Sequence, residues 1–246
     1  KALQAATTHN LGQNFAKSIG IKFQGREGRE EHVWTTSWAY STRIIGGMIM
    51  MHGDDDGMIM PPRVAPVQII ILPVVKDDGA ALIEFCNKIG ADLKQKGFAV
   101  KVDSRDMRTP DKMWEAVKKG IPVRVEVGQR EMEAGQVTFV RRDIGRDSKK
   151  TCSVEEFMGT IQSVLDDIHD SMLSRNRKFT KDNTADGKSV SDIRDFYAAD
   201  KIGFVRVPVE VLDDPALAKV QDEFKLSTRC MPFEDEGRKV LIAKSY

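Results

Sequence analysis

Arg43 is a charged residue among hydroxyl and apolar side chains near the start of the chain. Ser37, Thr42 and Arg43 interrupt an otherwise hydrophobic segment, residues 34–51. An unpaired buried charge is costly, so we expect the Arg43 guanidinium to be buried and to face an anion. A phosphate group suits it, because a guanidinium can bind two phosphate oxygens at once. The alternative is a structural ion pair with one of the chain's many carboxylates.

The local pattern predicts that Arg43 lies in the first turn of a helix. The span Ser41 to Met51 starts with a hydroxyl residue and continues with apolar residues at helical spacing. The free N–H groups and the dipole at a helix start also favour negative charge. Gly46 and Gly47 would weaken an isolated helix, which indicates close packing against another element.

From Pro62 onward the sequence alternates between strand and helix patterns. The apolar run Val67 to Val75 is typical of a strand buried on both faces, and Ala81 to Lys96 has the pattern of an amphipathic helix. The further expected elements are a strand at Phe98–Val102, a helix at Pro110–Lys119, strands at Pro122–Val127 and Gln136–Arg142, and a long helix capped by Ser153 and Glu156. This alternation predicts an α/β domain with a mixed sheet covered by helices.

The segment Arg175 to Lys188 is polar and predicts a linker or loose loop. A small third unit is expected beyond it. Its expected elements are helices at Ile193–Ala199 and Pro215–Phe224, a strand at Phe204–Val209, and paired strands Arg229–Phe233 and Val240–Ala243 joined by a turn at Glu234–Gly237.

The composition fits a globular protein that has no general attraction for nucleic acid. The chain has 246 residues, of which 41% are hydrophobic and 30% charged, and its net charge is +1. Any RNA contact must therefore come from a local patch, and the basic residues of the middle third offer one. The alternative is that these charges form a solvated face. No apolar run reaches the roughly 18 residues of a membrane span, so we expect no membrane partner.

The cysteines argue against a metal or disulfide framework. Cys86, Cys152 and Cys230 are far apart, odd in number and without a CxxC pair. We therefore expect no zinc site and no disulfides. This usage suits a reducing cytoplasm, where we expect the protein to be located.

Several segments, in order, resemble prolyl-tRNA synthetases, which are class II aminoacyl-tRNA synthetases. The longest is TTSWAYSTRIIGGMIMMHGDDDGMIMPPRVAPVQIIILP, which is similar to their third class-defining motif and the linker after it. The segment QAATTHNLGQNFAKSIGIKF is similar to their active-site strand and turn. GIPVRVEVGQRE, FVRRDIG and the terminal KVLIAKSY match as well, so the resemblance covers nearly the whole chain.

The resemblance implies an enzyme that uses ATP, with Mg²⁺, to join proline to tRNA(Pro) through prolyl-adenylate. It implies a homodimer and no DNA partner. It assigns Arg43 to the ATP phosphates, Gln4 and Thr7 to the nucleotide, and His9 and Ser37 to the proline pocket, with Trp38 beside them. The alternative for His9 is a hydrogen-bonded core histidine.

The resemblance also implies an anticodon-binding domain that reads the two guanines of proline anticodons. Arginines can bind guanine O6 and N7, and a carboxylate can accept from guanine N1 and N2. The matching arginines are Arg124 and Arg146. The family's glutamate maps to Glu115 only if the preceding helix carries two extra residues. As alternatives, Arg124 could pair with a neighbouring acid and Arg146 could be a solvated turn residue.

We therefore expect three domains: part of a class II catalytic domain at 1–61, an anticodon-binding domain at 62–174, and a small zinc-less α/β domain at 175–246. The first two class motifs are missing from these residues, so we expect the chain to be the C-terminal portion of a longer enzyme and to be inactive alone. Of the cysteines that often bind zinc in the family, Cys230 remains near the expected place. Terminal Tyr246 matches a residue that folds back toward the active site; the alternative is a frayed tail.

Two other functions are considered. The same domains could form a non-catalytic RNA-binding or regulatory module. The chain could also belong to a synthetase for another amino acid, although His9 in its TTHNLGQNF context argues against this.

Overall fold

In the computed structural model, residues 3–75 and 79–244 are described. Contacts divide the chain into one unit of residues 1–47 with 180–246 and a second unit of residues 48–179. The expected domain boundaries at 61/62 and 174/175 stay a prediction. Tyr246 lies outside the described residues.

The described elements, in chain order, are strands and helices of very different lengths. The strands are β1 Ala6–Gly12, β2 Lys22–Gln24, β3 Glu30–His32, β4 Thr35–Tyr40, β5 Ile69–Pro73, β6 Val100–Val102, β7 Val123–Val127, β8 Gln136–Arg141, β9 Lys150–Ser153, β10 Thr184–Asp186, β11 Phe204–Pro208, β12 Leu226–Thr228 and β13 Lys239–Lys244. The α-helices are α1 Asn14–Ile19, α2 Arg43–His52, α3 Ala80–Gln95, α4 Thr109–Lys118, α5 Gln129–Glu133, α6 Val154–Asp182, α7 Val190–Ala198 and α8 Ala216–Phe224.

The second unit is built on a five-stranded sheet of order β6-β5-β7-β8-β9. Strand β5 is parallel to β6 and β7, whereas β8 is antiparallel to β7 and β9. Helices cover both faces of the sheet. The predicted mixed sheet with flanking helices is confirmed.

Strand β5 is buried throughout, as its apolar run predicts. Ile69 and Ile71 pack with α3 and α6 on one face, while Ile70 and Leu72 pack with α4 on the other. The predicted apolar stripe of α3 is confirmed, because Leu82, Cys86, Ile89 and Leu93 are all buried. Ser153 accepts a hydrogen bond from the Glu156 backbone at the start of α6, as expected of its cap.

The segment between α2 and β5 is attached to the second unit by an ion pair. The nearly buried Arg142 guanidinium donates to both carboxylate oxygens of Asp54, at 2.8 and 2.5 Å. Its Nε donates to the Val117 carbonyl at 3.0 Å. The hydrogen bond from Arg142 is the main reason that the pKa of Asp54 lies below its ordinary value.

Two glycines allow this segment to run directly against the end of α4. Met58 N–H donates to the Lys118 carbonyl, and Met60 N–H donates to the Gly120 carbonyl. Gly57 and Gly120 both have positive φ, 140° and 68°. A Cβ on Gly57 would lie 2.7 Å from the Lys118 backbone, so a larger residue would force the two segments apart.

In the first unit, β1 pairs antiparallel with β4, and β2 pairs antiparallel with β3. Helix α2 follows β4 and contains no buried residue, and Ile44, Ile45 and Ile49 are each 43% exposed or more. Arg43, at its first position, is also exposed. The expectation that this guanidinium is buried is wrong, because the α2 residues beside it are exposed to solvent.

The C-terminal part of the first unit forms a four-stranded sheet of order β10-β11-β13-β12. Its core includes Ile193 of α7 and Leu217 of α8, packed on strand residues such as Ile242. Tyr197 reaches across this core and donates to the Ile242 carbonyl at 2.9 Å. The expected small α/β unit is confirmed.

Two sequence expectations in this region are wrong. Residues 175–188 are not a linker, because α6 runs to Asp182 and Thr184–Asp186 forms β10. The apolar stripe of α6 ends at Met172, but exposed Arg and Lys residues continue a helix at little cost. Thr184–Asp186 then form a strand because they pair in parallel with β11.

The strand expected at Arg229–Phe233 lies earlier, at Leu226–Thr228. Leu226 pairs with Lys244 in the ladder with β13, and regular pairing ends at Thr228. The predicted turn at Glu234–Gly237 is confirmed, since Glu236 and Gly237 both have positive φ there.

We expect Asp186 of β10 to stabilise the fold in a way that is lost in acid. It accepts hydrogen bonds from Arg206 and Lys239, and the bonds from Arg206 are the main cause that lowers its pKa from 3.8 to about 2. A carboxyl with a lowered folded-state pKa stabilises the fold above its unfolded pKa and loses this contribution as the pH falls toward the folded pKa. The free energy of unfolding can be measured with urea from about pH 5 to about pH 2. Between pH 3.8 and about pH 2, this free energy should fall more steeply in the wild type than in Asp186→Asn. Parallel curves for the two proteins would contradict this.

Candidate functional site

The residues predicted near Arg43 gather on one face of the β1–β4 pair. His9 lies directly opposite Ser37, and Thr7 lies opposite Ala39. Alternate residues of a strand share a face, so Thr7, His9 and Ser37 lie on the same side. His9 is exposed, so it is not the buried, hydrogen-bonded core histidine of the alternative interpretation.

A short hydrogen-bonded chain connects this face to the start of α2. Gln4 Nε2 donates to Thr7 Oγ1 at 2.9 Å, and Arg43 Nη1 donates to Gln4 Oε1 at 3.5 Å. Within residues 3–75 and 79–244, no carboxylate pairs with Arg43. The structure thus presents a guanidinium held by an uncharged amide, an arrangement able to receive an anion.

Trp38 is not brought to this face. It lies opposite Thr8, on the other side of the strand pair from His9 and Ser37, and it is 78% exposed. The role that the resemblance gives to Trp38 stays a prediction.

A second site lies in the middle unit, where α4, the β7–β8 strands and the loop after β8 enclose a cavity of about 790 Å³. Both predicted arginines, Arg124 and Arg146, line it, together with Lys149. Met113 and the half-exposed Trp114 of α4 contribute apolar surface. A cationic cavity with an exposed aromatic ring has the character of a site for unpaired nucleotides, whose bases stack and whose phosphates need cations.

Arg124 forms an ion pair inside this cavity, as the alternative interpretation of this residue allowed. Its Nε donates to Glu126 Oε1 at 3.0 Å, and its Nη2 lies 2.9 Å from the same oxygen in an ion pair. The acid lies two residues along the same strand, not across the sheet. Arg146, by contrast, is exposed and its side chain has no partner within the described ranges.

Glu115 lies apart from the two arginines. It lines a neighbouring pocket of about 230 Å³ and accepts hydrogen bonds from Arg105 and Lys119, at 2.9 and 3.3 Å. The bond from Arg105, followed by that from Lys119, lowers the pKa of Glu115. Binding a guanine there would require breaking these contacts, so the assignment of Glu115 stays a prediction.

Sequence reasoning missed Glu126 and Trp114. The alternation in Val123–Val127, VRVEV, places Arg124 and Glu126 on the same face of one strand, and this signal was available. Trp114 carried no such signal, because its position at the cavity depends on the packing of α4 against the sheet.

Across residues 3–75 and 79–244, no group of three or more His, Cys, Asp or Glu side chains could hold a metal ion. No helix in the part of the chain that the structure describes is long and apolar enough to cross a membrane.

A family profile for the anticodon binding domain matches residues 68–164. This span holds the five-stranded sheet and both predicted arginines, Arg124 and Arg146.

Curated relatives match the whole chain. The proline–tRNA ligase of Bdellovibrio bacteriovorus is 37% identical over 271 residues, which cover 100% of this chain and 54% of the relative. That of Prosthecochloris aestuarii is 40% identical over 267 residues, with the same coverage of 100% and 54%. Proline–tRNA ligase 2 of Clostridioides difficile is 41% identical over 238 residues, covering 96% of this chain and 48% of the relative. The chain spans about half the length of the curated relatives it matches.

A solved structure gives the same result. The prolyl-tRNA synthetase of Cryptosporidium parvum, complexed with L-proline and AMP, aligns with a TM-score of 0.81 at 29% identity. The alignment covers 100% of this chain and 55% of that one. By sequence and by fold, the chain belongs to the proline–tRNA ligase family and matches the C-terminal part of its members.

Proposed function

We propose that the complete protein carrying this chain joins proline to tRNA(Pro) with ATP, through prolyl-adenylate. The observation that carries this proposal is the Gln4–Thr7–Arg43 chain beside His9 and Ser37. It combines an anion receptor with a small polar strand face in a chain that matches proline–tRNA ligases throughout.

In the first step, a proline carboxylate oxygen attacks the α-phosphorus of ATP and pyrophosphate leaves. Such a transfer needs positioning and charge neutralisation more than a nucleophilic side chain. Arg43 binds the phosphates of ATP, which enters with Mg²⁺ as part of the substrate. Gln4 and Thr7 contact the nucleotide, and His9 and Ser37 contact proline. Trp38, on the other side of the strand pair, is kept as a further substrate-binding candidate. The first two class motifs are not among these residues, so we propose that the chain alone does not form the adenylate.

In the second step, a hydroxyl of the terminal ribose of the tRNA attacks the prolyl carbonyl carbon and AMP leaves. The anticodon of the same tRNA is read elsewhere. Arg124 and Arg146 bind the anticodon guanines in the cavity of the middle unit, with Glu115 as a further candidate. Bidentate contact from an arginine to guanine O6 and N7 provides the base specificity.

The domain assignment follows from these roles. We propose a catalytic part at 1–61, an anticodon-binding domain at 62–174 and a C-terminal domain without zinc at 175–246. We also propose a homodimer in the cytoplasm. The three cysteines are free thiols, as a reducing compartment favours. A non-catalytic RNA-binding module has less support, because the match to the ligases includes the polar β1–β4 face outside the anticodon-binding span.

The test measures ATP–pyrophosphate exchange by the complete protein with proline, threonine, histidine or glycine as the amino acid. We expect exchange with proline alone, followed by transfer of labelled proline to tRNA(Pro). Absence of proline-dependent exchange, or faster exchange with another amino acid, would overturn the proposal.

A further inference from the structure

Glu126 lies in the wall of the anticodon cavity between two cations. Its side chain is 12% exposed and that of Arg124 is 15% exposed. Oε1 accepts a hydrogen bond from Arg124 Nε and lies 2.9 Å from Nη2, and Oε2 accepts a hydrogen bond from Lys149 Nζ at 3.4 Å. One carboxylate therefore joins a residue of β7 to the loop after β8.

This contact fixes the plane and direction of the Arg124 guanidinium. Nε and Nη2, on one edge of the group, both face Glu126 Oε1. The other edge, formed by Nη1 and the second hydrogen of Nη2, has no partner among residues 3–75 and 79–244. Two parallel donors on one edge are what bidentate binding of guanine O6 and N7 requires.

The carboxylate also changes which ligand atoms the site prefers. Arg146 and Lys149 line the same cavity as Arg124, whereas the other two arginines of its lining are paired with Asp143 and Asp54. Without Glu126, the charges of Arg124, Arg146 and Lys149 would all face an incoming RNA without a paired acid. Such a cluster binds backbone phosphates, which carry no sequence information. A negative charge beside Arg124 makes phosphate less favourable there and leaves the donors for a neutral base.

We propose that Glu126 is a positioning residue, which holds Arg124 so that it reads a guanine base of the tRNA anticodon instead of binding a phosphate. The inference rests on the proposed function, and it assigns to Glu126 a role in specificity that is separate from folding.

The test uses the complete protein and compares its affinity for tRNA(Pro) with that for the same tRNA carrying adenine in place of the anticodon guanines. Glu126→Ala should lower this guanine preference by about tenfold, the size expected for one bidentate contact. Affinity for the substituted tRNA should stay the same or rise. Glu126→Gln keeps one acceptor oxygen for Arg124, so it should retain more of the preference than Glu126→Ala. If Glu126→Ala does not fold, Glu126→Gln alone decides, and an unchanged preference overturns the proposal.

A double-mutant cycle separates positioning from a merely structural effect. In an Arg124→Ala background, Glu126→Ala should cause no further loss of preference, because the residue acts through Arg124. Asp186→Asn is a matched control, since Asp186 also joins an arginine and a lysine but lies in the C-terminal sheet. It should leave the guanine preference unchanged.

The outcomes distinguish this inference from the proposed function. A wild-type protein without guanine preference overturns both. A wild-type preference that survives in Glu126→Ala, an equal loss of affinity for both tRNAs, or additive losses in the cycle overturns the role of Glu126 alone.

Discussion

Replacing Arg43 with alanine should reduce proline-dependent ATP–pyrophosphate exchange by about 100- to 1,000-fold, the loss typical when one charge-stabilising group is removed from an active site. The guanidinium is at the first position of α2 and is held by the uncharged Gln4 amide, so its charge remains for the phosphates. The loss should appear mainly in kcat, because phosphate charge shifts as pyrophosphate leaves. Steady-state exchange at varied ATP concentration measures it.

Arg29→Ala is the matched control for this prediction. Arg29 is also an exposed arginine of the first unit, but it lies beside β3 and away from the β1–β4 face. Its removal should leave exchange unchanged. Binding of tRNA(Pro) should survive in Arg43→Ala, since the anticodon cavity is unaltered. An exchange rate equal to that of the wild type would end the assignment of Arg43 to the phosphates.

Replacing Arg124 with alanine should weaken binding of tRNA(Pro) by about 10- to 100-fold, which corresponds to the loss of one bidentate base contact. The partner Glu126 would then keep Lys149 as its counter-ion but lose that of Arg124, which adds repulsion toward RNA. Arg146→Ala should weaken binding less, because this exposed side chain is not preorganised by a partner. Filter binding or fluorescence titration at a fixed salt concentration measures both changes.

Proline-dependent exchange should remain nearly intact in both variants, because that reaction does not require tRNA. Arg63→Ala serves as control: Arg63 is an exposed arginine of the same unit, paired with acids of α6 and not part of the cavity lining. It should bind tRNA like the wild type. Equal losses of tRNA binding and exchange in Arg124→Ala would rule out its role as an anticodon reader.

The elements that the sequence predicts well are those with a single dominant period. The run at Val67–Val75 and the stripe from Leu82 to Leu93 are apolar at spacings that fit one structure each, and both are buried as expected. The family resemblance gave the order of the units. Local pattern and long-range pairing agree in these segments, which is why they are predictable.

The misassigned segments are those in which neighbouring elements decide the outcome. Polar residues after Met172 read as a loop but remain helical, and Thr184–Asp186 becomes a strand because β11 is beside it. The apolar neighbours of Arg43 predict that it is buried, yet those neighbours are themselves exposed. A pattern of apolar residues indicates a surface that can be covered and does not show that it is.

In the candidate site, too, some features follow from local sequence patterns and others depend on how strands pair. The facing of His9 and Ser37 follows from strand register, which no local pattern in the sequence sets. The same register places Trp38 on the opposite side, although it adjoins Ser37 in the sequence. By contrast, strand periodicity alone predicts that Arg124 and Glu126 share one face of β7.

The attachment of residues 53–60 to the middle unit has a practical consequence for dissecting this protein. A recombinant fragment begun at residue 68, where the family profile starts, would lack Asp54, the counter-ion of Arg142, and the backbone donors of Met58 and Met60. It would also uncover core surface beneath Ile59. Such a fragment invites aggregation, so a soluble stand-alone version should be cloned from Gly53 or earlier.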